Sequence, residues 1–157
     1  MRKTIIDRAK PIPTNDKHNW LDLTSIACVE VTSEDESFPI ESALLAETGP
    51  GWRASRPGEQ TIRLLFDKPQ RIKFIELHFT EIERVRTQEF VLRWSGDAGL
   101  SYHEIVRQQY NFSPPATVHE REIYTVDLNE VITLELGIVP DINGGSACAS
   151  LAQLRLA

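Results

Sequence analysis

Short segments rich in Ile, Val, Leu, Phe and Thr, punctuated by Gly, Pro, Asn and Asp, predict an all-β chain: an antiparallel, eight-stranded jelly-roll β-sandwich. Two further observations point the same way. Inside those segments apolar side chains recur at every second position, the period of a strand with one buried face. At 157 residues, 41% apolar and 25% charged, the chain has the size and balance of one globular domain with one core.

Residues 1–20 carry Pro11 and Pro13 among polar neighbours and show no sustained period, so they are expected to form an extended arm anchored at Trp20. Residues 21–157 are expected to form the sandwich. Its first strand covers 25–32 and runs into the acidic stretch Ser33 to Ser37. A short helix is predicted over 40–46, where Ile40, Ala43 and Leu44 fall at helical spacing before Gly49-Pro50-Gly51 ends it. The second strand, 60–67, puts Ile62, Leu64 and Phe66 on one face. After a Pro-containing turn at 67–70, the third, 71–80, turns Ile75, Leu77 and Phe79 inward and Glu76 and His78 outward.

The fourth strand, 88–95, aligns Phe90, Leu92 and Trp94 and ends at Ser95-Gly96-Asp97-Ala98-Gly99; a fifth covers 102–109. Pro114-Pro115 donates no ladder hydrogen bond, which makes 110–118 a loop. The sixth strand, 120–128, turns at Asn129-Glu130 into the seventh, 131–139. After Pro140 to Gly145 the eighth strand closes the domain at 148–156.

The order of these segments resembles the discoidin, or coagulation-factor type C, domains of the galactose-binding-like fold, over about residues 25–157. The resemblance is carried by Trp52-Arg53-Ala54-Ser55, by DKPQRIKFIELHF at 67–79, by FVLRWSGDAGLSYHEI at 90–105 and by GGSACASLAQLRL at 144–156. A local likeness joins SALLAETGPGWRASRPGEQTIRLLF, at 42–66, to the amino-terminal domain of the X-ray-repair scaffold protein of single-strand-break repair. The family often holds a calcium ion with an Asp-Gly before the Trp and a Glu in the last strand. Here Glu47-Thr48-Gly49 and Gln153 occupy those places, and losing a carboxylate removes charge and a bidentate ligand. No metal and no cofactor is therefore expected.

The family's terminal disulfide is not reproduced either, since Cys28 and Cys148 sit inside the terminal strands. They are read as two small buried apolar side chains. The amino terminus lacks the apolar run of a signal peptide and no segment approaches a membrane span, so a cytoplasmic location is expected. A net charge of −6 disfavours nucleic acid as a partner. No G-x-S-x-G, phosphate loop or H-E-x-x-H is present. His119 and Glu120 alternate faces on a strand and do not converge on a metal.

The resemblance, together with the loop chemistry, implies a non-enzymatic binding module whose ligand is a glycan or other small polar group, with a protein-interaction or repair-like scaffold domain as the alternative. Counting strand reversals brings the loops 33–59, 81–87, 110–119 and 140–147 to one rim, and the short turns at 67–70, 95–101 and 129–130 to the other. The long-loop rim would gather Asp35, Phe38, Glu81, Arg84, Arg86, Tyr110, Asn111, Phe112, His119, Asp141 and Asn143 as candidate ligand-binding residues. Among these, Phe38, Tyr110 and Phe112 are aromatics in predicted loops, where exposed rings meet ligands.

Overall fold

A computed structural model describes residues 19–45 and 49–157. Its strands are β1 (Ala27–Val31), β2 (Trp52–Pro57), β3 (Gln60–Thr80), β4 (Arg86–Ser95), β5 (His103–Phe112), β6 (His119–Val139), β7 (Cys148–Leu151) and β8 (Gln153–Leu156), with single helical turns α1 (Leu23–Ile26) and α2 (Glu41–Leu44). The architecture is all-β and antiparallel, as the alternation implies. The expected arm lies almost wholly outside the described residues; at its end Trp20 packs beneath Arg155, whose guanidinium carbon is 4.5 Å from the ring centre.

Eight strands are present among the described residues, but not the same eight. The turns expected at 67–70 and 129–130 do not interrupt pairing. β3 and β6, 21 residues each, form one long ribbon, paired from Gln60↔Ile138 to Thr80↔His119. Register shifts between Leu65 and Phe74 crease this ribbon, because an extra residue bends a strand and increases its twist. The outer half of β3 then carries β1, and the inner half carries β8; β6 carries β4, which carries β5. Folding at the crease lays the two halves face to face. Phe79 from one half stacks on Phe90 from the other at 5.2 Å.

Between the layers Ile62, Leu64, Ile75, Leu77, Leu92 and Ile138 are fully buried. These side chains sit at alternate positions of their strands, so their burial follows from the pleat. Each such side chain contributes roughly 1.5–3 kcal/mol. The closing segment behaves differently from the continuous strand predicted there: Ala149 and Leu151 point inward, Ala152 breaks the ladder, and Leu154 and Leu156 resume the inward phase. β2, absent from the sequence-based assignment, pairs with β7 as a separate two-stranded ribbon.

Several side chains depart from expectation. Cys28 is exposed on the outer face of β1 and Cys148 is half-buried, so the pair is not a buried one. Trp94 is only partly buried, packed on His103 at 5.0 Å at the end of β4. Glu76 faces outward yet is buried, because Arg121 and Arg155 cover both of its carboxylate oxygens.

Candidate functional site at the long-loop rim

The crease decides which loops meet. A ribbon folded on itself reverses direction as a hairpin does, so the ends of β3 and β6 at Thr80 and His119 return to the level of Val31, Gln60 and Val139. Three contacts mark this rim: Arg86 bonds Glu81 at 2.6 Å and the Pro140 carbonyl at 2.7 Å, and Arg84 bonds Ser146 Oγ at 2.8 Å. The loops 81–85, 113–118 and 140–147 and the start of the 32–59 excursion thus share one end, as the count of reversals gives.

Within it lies a cavity of about 250 Å³. Its floor is Trp52, buried and donating Nε1–H to the Ser33 carbonyl at 3.1 Å. Gly51 makes the entry to β2 possible: with φ at +79°, a Cβ there would stand 2.6 Å from the Leu151 carbonyl oxygen. Phe38 forms one wall, and the guanidinium of Arg53, the next residue after Trp52, lies 4.6 Å over its ring. The opposite wall is the segment Thr80 to Arg84, and Ser146 and Ser150 add hydroxyls.

The carboxylate of Glu81 is already committed. Its oxygens accept from Arg86 and from the Glu83 amide, at 2.6 and 3.0 Å. Burial pulls its pKa upward, but the Glu83 amide and Arg86 outweigh that and hold it below the ordinary value.

The candidate residues divide into three groups. Phe38, Glu81 and Arg84 line the cavity. Asp35 shapes its border: its carboxylate accepts from the Ser37 amide, and its own amide donates to the Arg53 carbonyl. Asp141 accepts from the Asn143 amide in an adjoining shallow hollow that Arg84 and Ser146 share, and Asn143 itself is exposed.

Arg86 and Phe112 are corrections. Both were expected at a ligand surface; they are 3% and 0% exposed, with Arg86 stacked 4.7 Å over the Phe112 ring. β5 runs on through Phe112 instead of ending at 109, so the ring continues the inward phase of Gln108 and Tyr110. Tyr110, Asn111 and His119 lie away from the cavity. Tyr110 donates its hydroxyl to the His119 carbonyl, Asn111 accepts from Thr87, and His119 stacks on His78 with ring nitrogens 3.1 Å apart. The expected site missed Arg53, Glu83, Ser146 and Ser150. The alternation of buried Trp52 and Ala54 with exposed Arg53 carried that signal, but only once 52–57 is recognised as a strand.

A second polar group lies between the layers. Glu120, 1% exposed, accepts from Gln88 at 3.2 Å through one oxygen; the other, Oε2, has no partner among the described residues. Glu122 accepts from Gln108, which in turn accepts from the Tyr124 hydroxyl. Burial, and then the neighbouring Glu122 charge, push the Glu120 carboxyl up to about 7. Burial likewise raises Glu122 and Tyr124. Among the described residues no cluster of His, Cys, Asp and Glu has the makings of a metal site. Gln153 donates its side-chain amide to the Leu45 carbonyl at 3.1 Å.

No protein-family model matches the sequence, and comparison with curated proteins gives no match. Solved structures do match. The chain is similar to the family 32 carbohydrate-binding module of C. perfringens NanJ, solved with galactose, at TM-score 0.64 and 11% identity over 87% of this chain and 96% of that one. It is similar to a family 32 module of Clostridium perfringens CpGH89, solved with GalNAc-β-1,3-galactose, at TM-score 0.64 and 15% identity over 87% and 98%. The family 32 module of AlyQ, solved with 4,5-unsaturated mannuronic acid, matches at TM-score 0.63 and 13% identity over 89% and 98%. At these identities the likeness establishes the fold, the galactose-binding-like β-sandwich.

Proposed function

We propose that this chain is a non-catalytic carbohydrate-binding module that takes its ligand at the long-loop rim. The observation that carries the reading is the cavity between Phe38 and the 80–84 segment, where an aromatic wall faces charged and hydroxyl groups. A sugar ring has the matching duality: its C–H face packs on an aromatic ring while its hydroxyls need donors and acceptors. The solved complexes of similar modules with galactose and GalNAc-β-1,3-galactose support the same ligand class.

Glycoside hydrolysis fits the cavity poorly, because Glu120 is not among its lining residues. It needs one carboxyl with a raised pKa as general acid and a second roughly 5–9 Å away. Glu81 has the opposite shift, and its oxygens are held by Arg86 and the Glu83 amide.

The second reading, a protein-interaction domain, is favoured by the apolar side chains Ile82, Val85 and Ile142, 74%, 75% and 44% exposed on the same rim. A glycan array run beside an affinity pull-down separates the two. A bound glycan whose affinity falls at least about tenfold in Phe38→Ala, with melting unchanged, supports the module. Glycan binding indifferent to Phe38 moves the site elsewhere. A stoichiometric protein partner with no glycan bound favours the second reading.

A further inference from the structure

We propose that the rim cavity selects an acidic glycan, one whose sugar carries a carboxylate, through Arg53 and Arg84. This rests on the carbohydrate-binding reading and names its ligand class. The chain is acidic overall, with a formal charge of −6, and among the described residues most arginines are ion-paired, Arg53, Arg56, Arg84 and Arg93 being the exceptions. Arg63, Arg71, Arg107, Arg121 and Arg155 each form an ion pair with a carboxylate on the sheet faces. Arg53 and Arg84, both lining the cavity, have no carboxylate partner among the described residues.

Their surroundings hold them ready without using them up. The Arg53 guanidinium carbon lies 4.6 Å over the centre of the Phe38 ring. A contact with a ring consumes none of the guanidinium's N–H donors, and its planar fork can grip a carboxylate with two parallel hydrogen bonds. Arg84 spends one terminal nitrogen on Ser146 Oγ at 2.8 Å, which fixes the side chain and leaves the rest of its fork unused. On the acidic side, Glu81 is neutralised by Arg86, leaving Glu83 as the one lining carboxylate without a cation among the described residues. Two open guanidiniums thus face one open carboxylate.

A neutral sugar would leave both forks to water. A sugar carboxylate would satisfy one or both of them inside a partly desolvated cavity, where charge-assisted hydrogen bonds gain strength.

The test is titration calorimetry of the whole chain with neutral galacto-oligosaccharides and with galacturonate, glucuronate and mannuronate oligomers, at low and high salt. The variants are Arg53→Gln and Arg84→Gln, with Asp97→Ala at the opposite rim as control. An acidic oligomer is expected to bind about tenfold or more tightly than its neutral counterpart and to weaken as salt rises. Each arginine substitution should shrink that preference several-fold and the pair should abolish it, with melting unchanged because both side chains are exposed. Neutral oligomers bound as well as or better than acidic ones would overturn the inference while leaving the module reading in place. An acidic preference that persists in the double variant would also overturn it. Failure of every sugar to bind would overturn both readings.

Discussion

The two rims of the sandwich solve the same problem, closing a strand end, by opposite means. At the short-turn rim the closure is local. Ser95 Oγ donates to Asp97 and accepts from the Asp97 and Gly99 amides, and Asp97 also takes the Ser101 amide and hydroxyl. Asp97 is held at a pKa of about 2 by its Ser101 and Ser95 hydrogen bonds. Every partner lies within a few residues in sequence. At the long-loop rim the partners come from far along the chain: Arg86 reaches Pro140, Arg84 reaches Ser146, and Trp52 reaches Ser33. A locally closed end spends its turn hydroxyls and carboxylate on its own backbone and on one another. An end assembled from distant loops keeps gaps between them, and the cavity with its two open guanidiniums is one such gap.

This contrast places the largest mutational cost beneath the long-loop rim. Arg86→Ala removes three hydrogen-bond partnerships and leaves Glu81 without its cation, so it should cost about 3–5 kcal/mol in urea unfolding. Phe112→Ala, which empties the ring beneath Arg86, should cost about 3–4 kcal/mol by the same measurement. Either variant would lose ligand through lost structure, not through lost contact; a well-folded Arg86→Ala protein would show that the rim is not built around this pair.

Trp94→Ala tests the other rim. Because Trp94 is partly exposed, its loss should cost about 2 kcal/mol, less than the Phe112 substitution. Equal costs would erase the distinction between the ends.

Glu120, just inside the long-loop rim, gives the contrast a pH dependence. Its folded-state pKa of about 7 lies above the ordinary 4.5, so between these values the folded chain holds a proton that the unfolded chain has released. Its contribution is therefore favourable below about pH 4.5 and is lost as pH rises through 7. Glu120→Gln, neutral at every pH, should stabilise the protein by roughly 2 kcal/mol near pH 8 and flatten this slope. A variant with an unchanged slope would assign the pH dependence to another group. The smallest effect is Asp97→Ala: a slightly lower melting temperature, and ligand affinity equal to that of the parent chain.

How much of this was legible in the sequence depends on the range of the interactions. Strand alternation is local, so the inward faces of 60–66, 75–79 and 88–92 were readable. The crease was not: Asp67-Lys68-Pro69-Gln70 and Asn129-Glu130 carry the composition of reversing turns, yet two paired strands bending together need the same permissive residues. The rim assignment holds despite this error, since a fold-over and a hairpin both invert direction. Phe112 was misjudged because Pro114-Pro115 drew the loop boundary too early, although the phase of Gln108 and Tyr110 extends to it. Arg86 shares the inward phase of Gln88, Phe90 and Leu92, and a cation there implied a buried carboxylate partner. The cavity itself was beyond reach. It depends on β2 meeting the 80–84 segment, and no periodicity encodes such a meeting.

The flanks of the described fold give the domain a front and a back. The Leu21 amide bonds the Leu156 carbonyl at 2.8 Å, and Ala157 pairs with Phe74 close to the crease. Both contacts lie at the creased end of the sandwich, away from the cavity. A matrix coupled at Ala157 would thus hold the sandwich by its creased end and leave the cavity open to solvent.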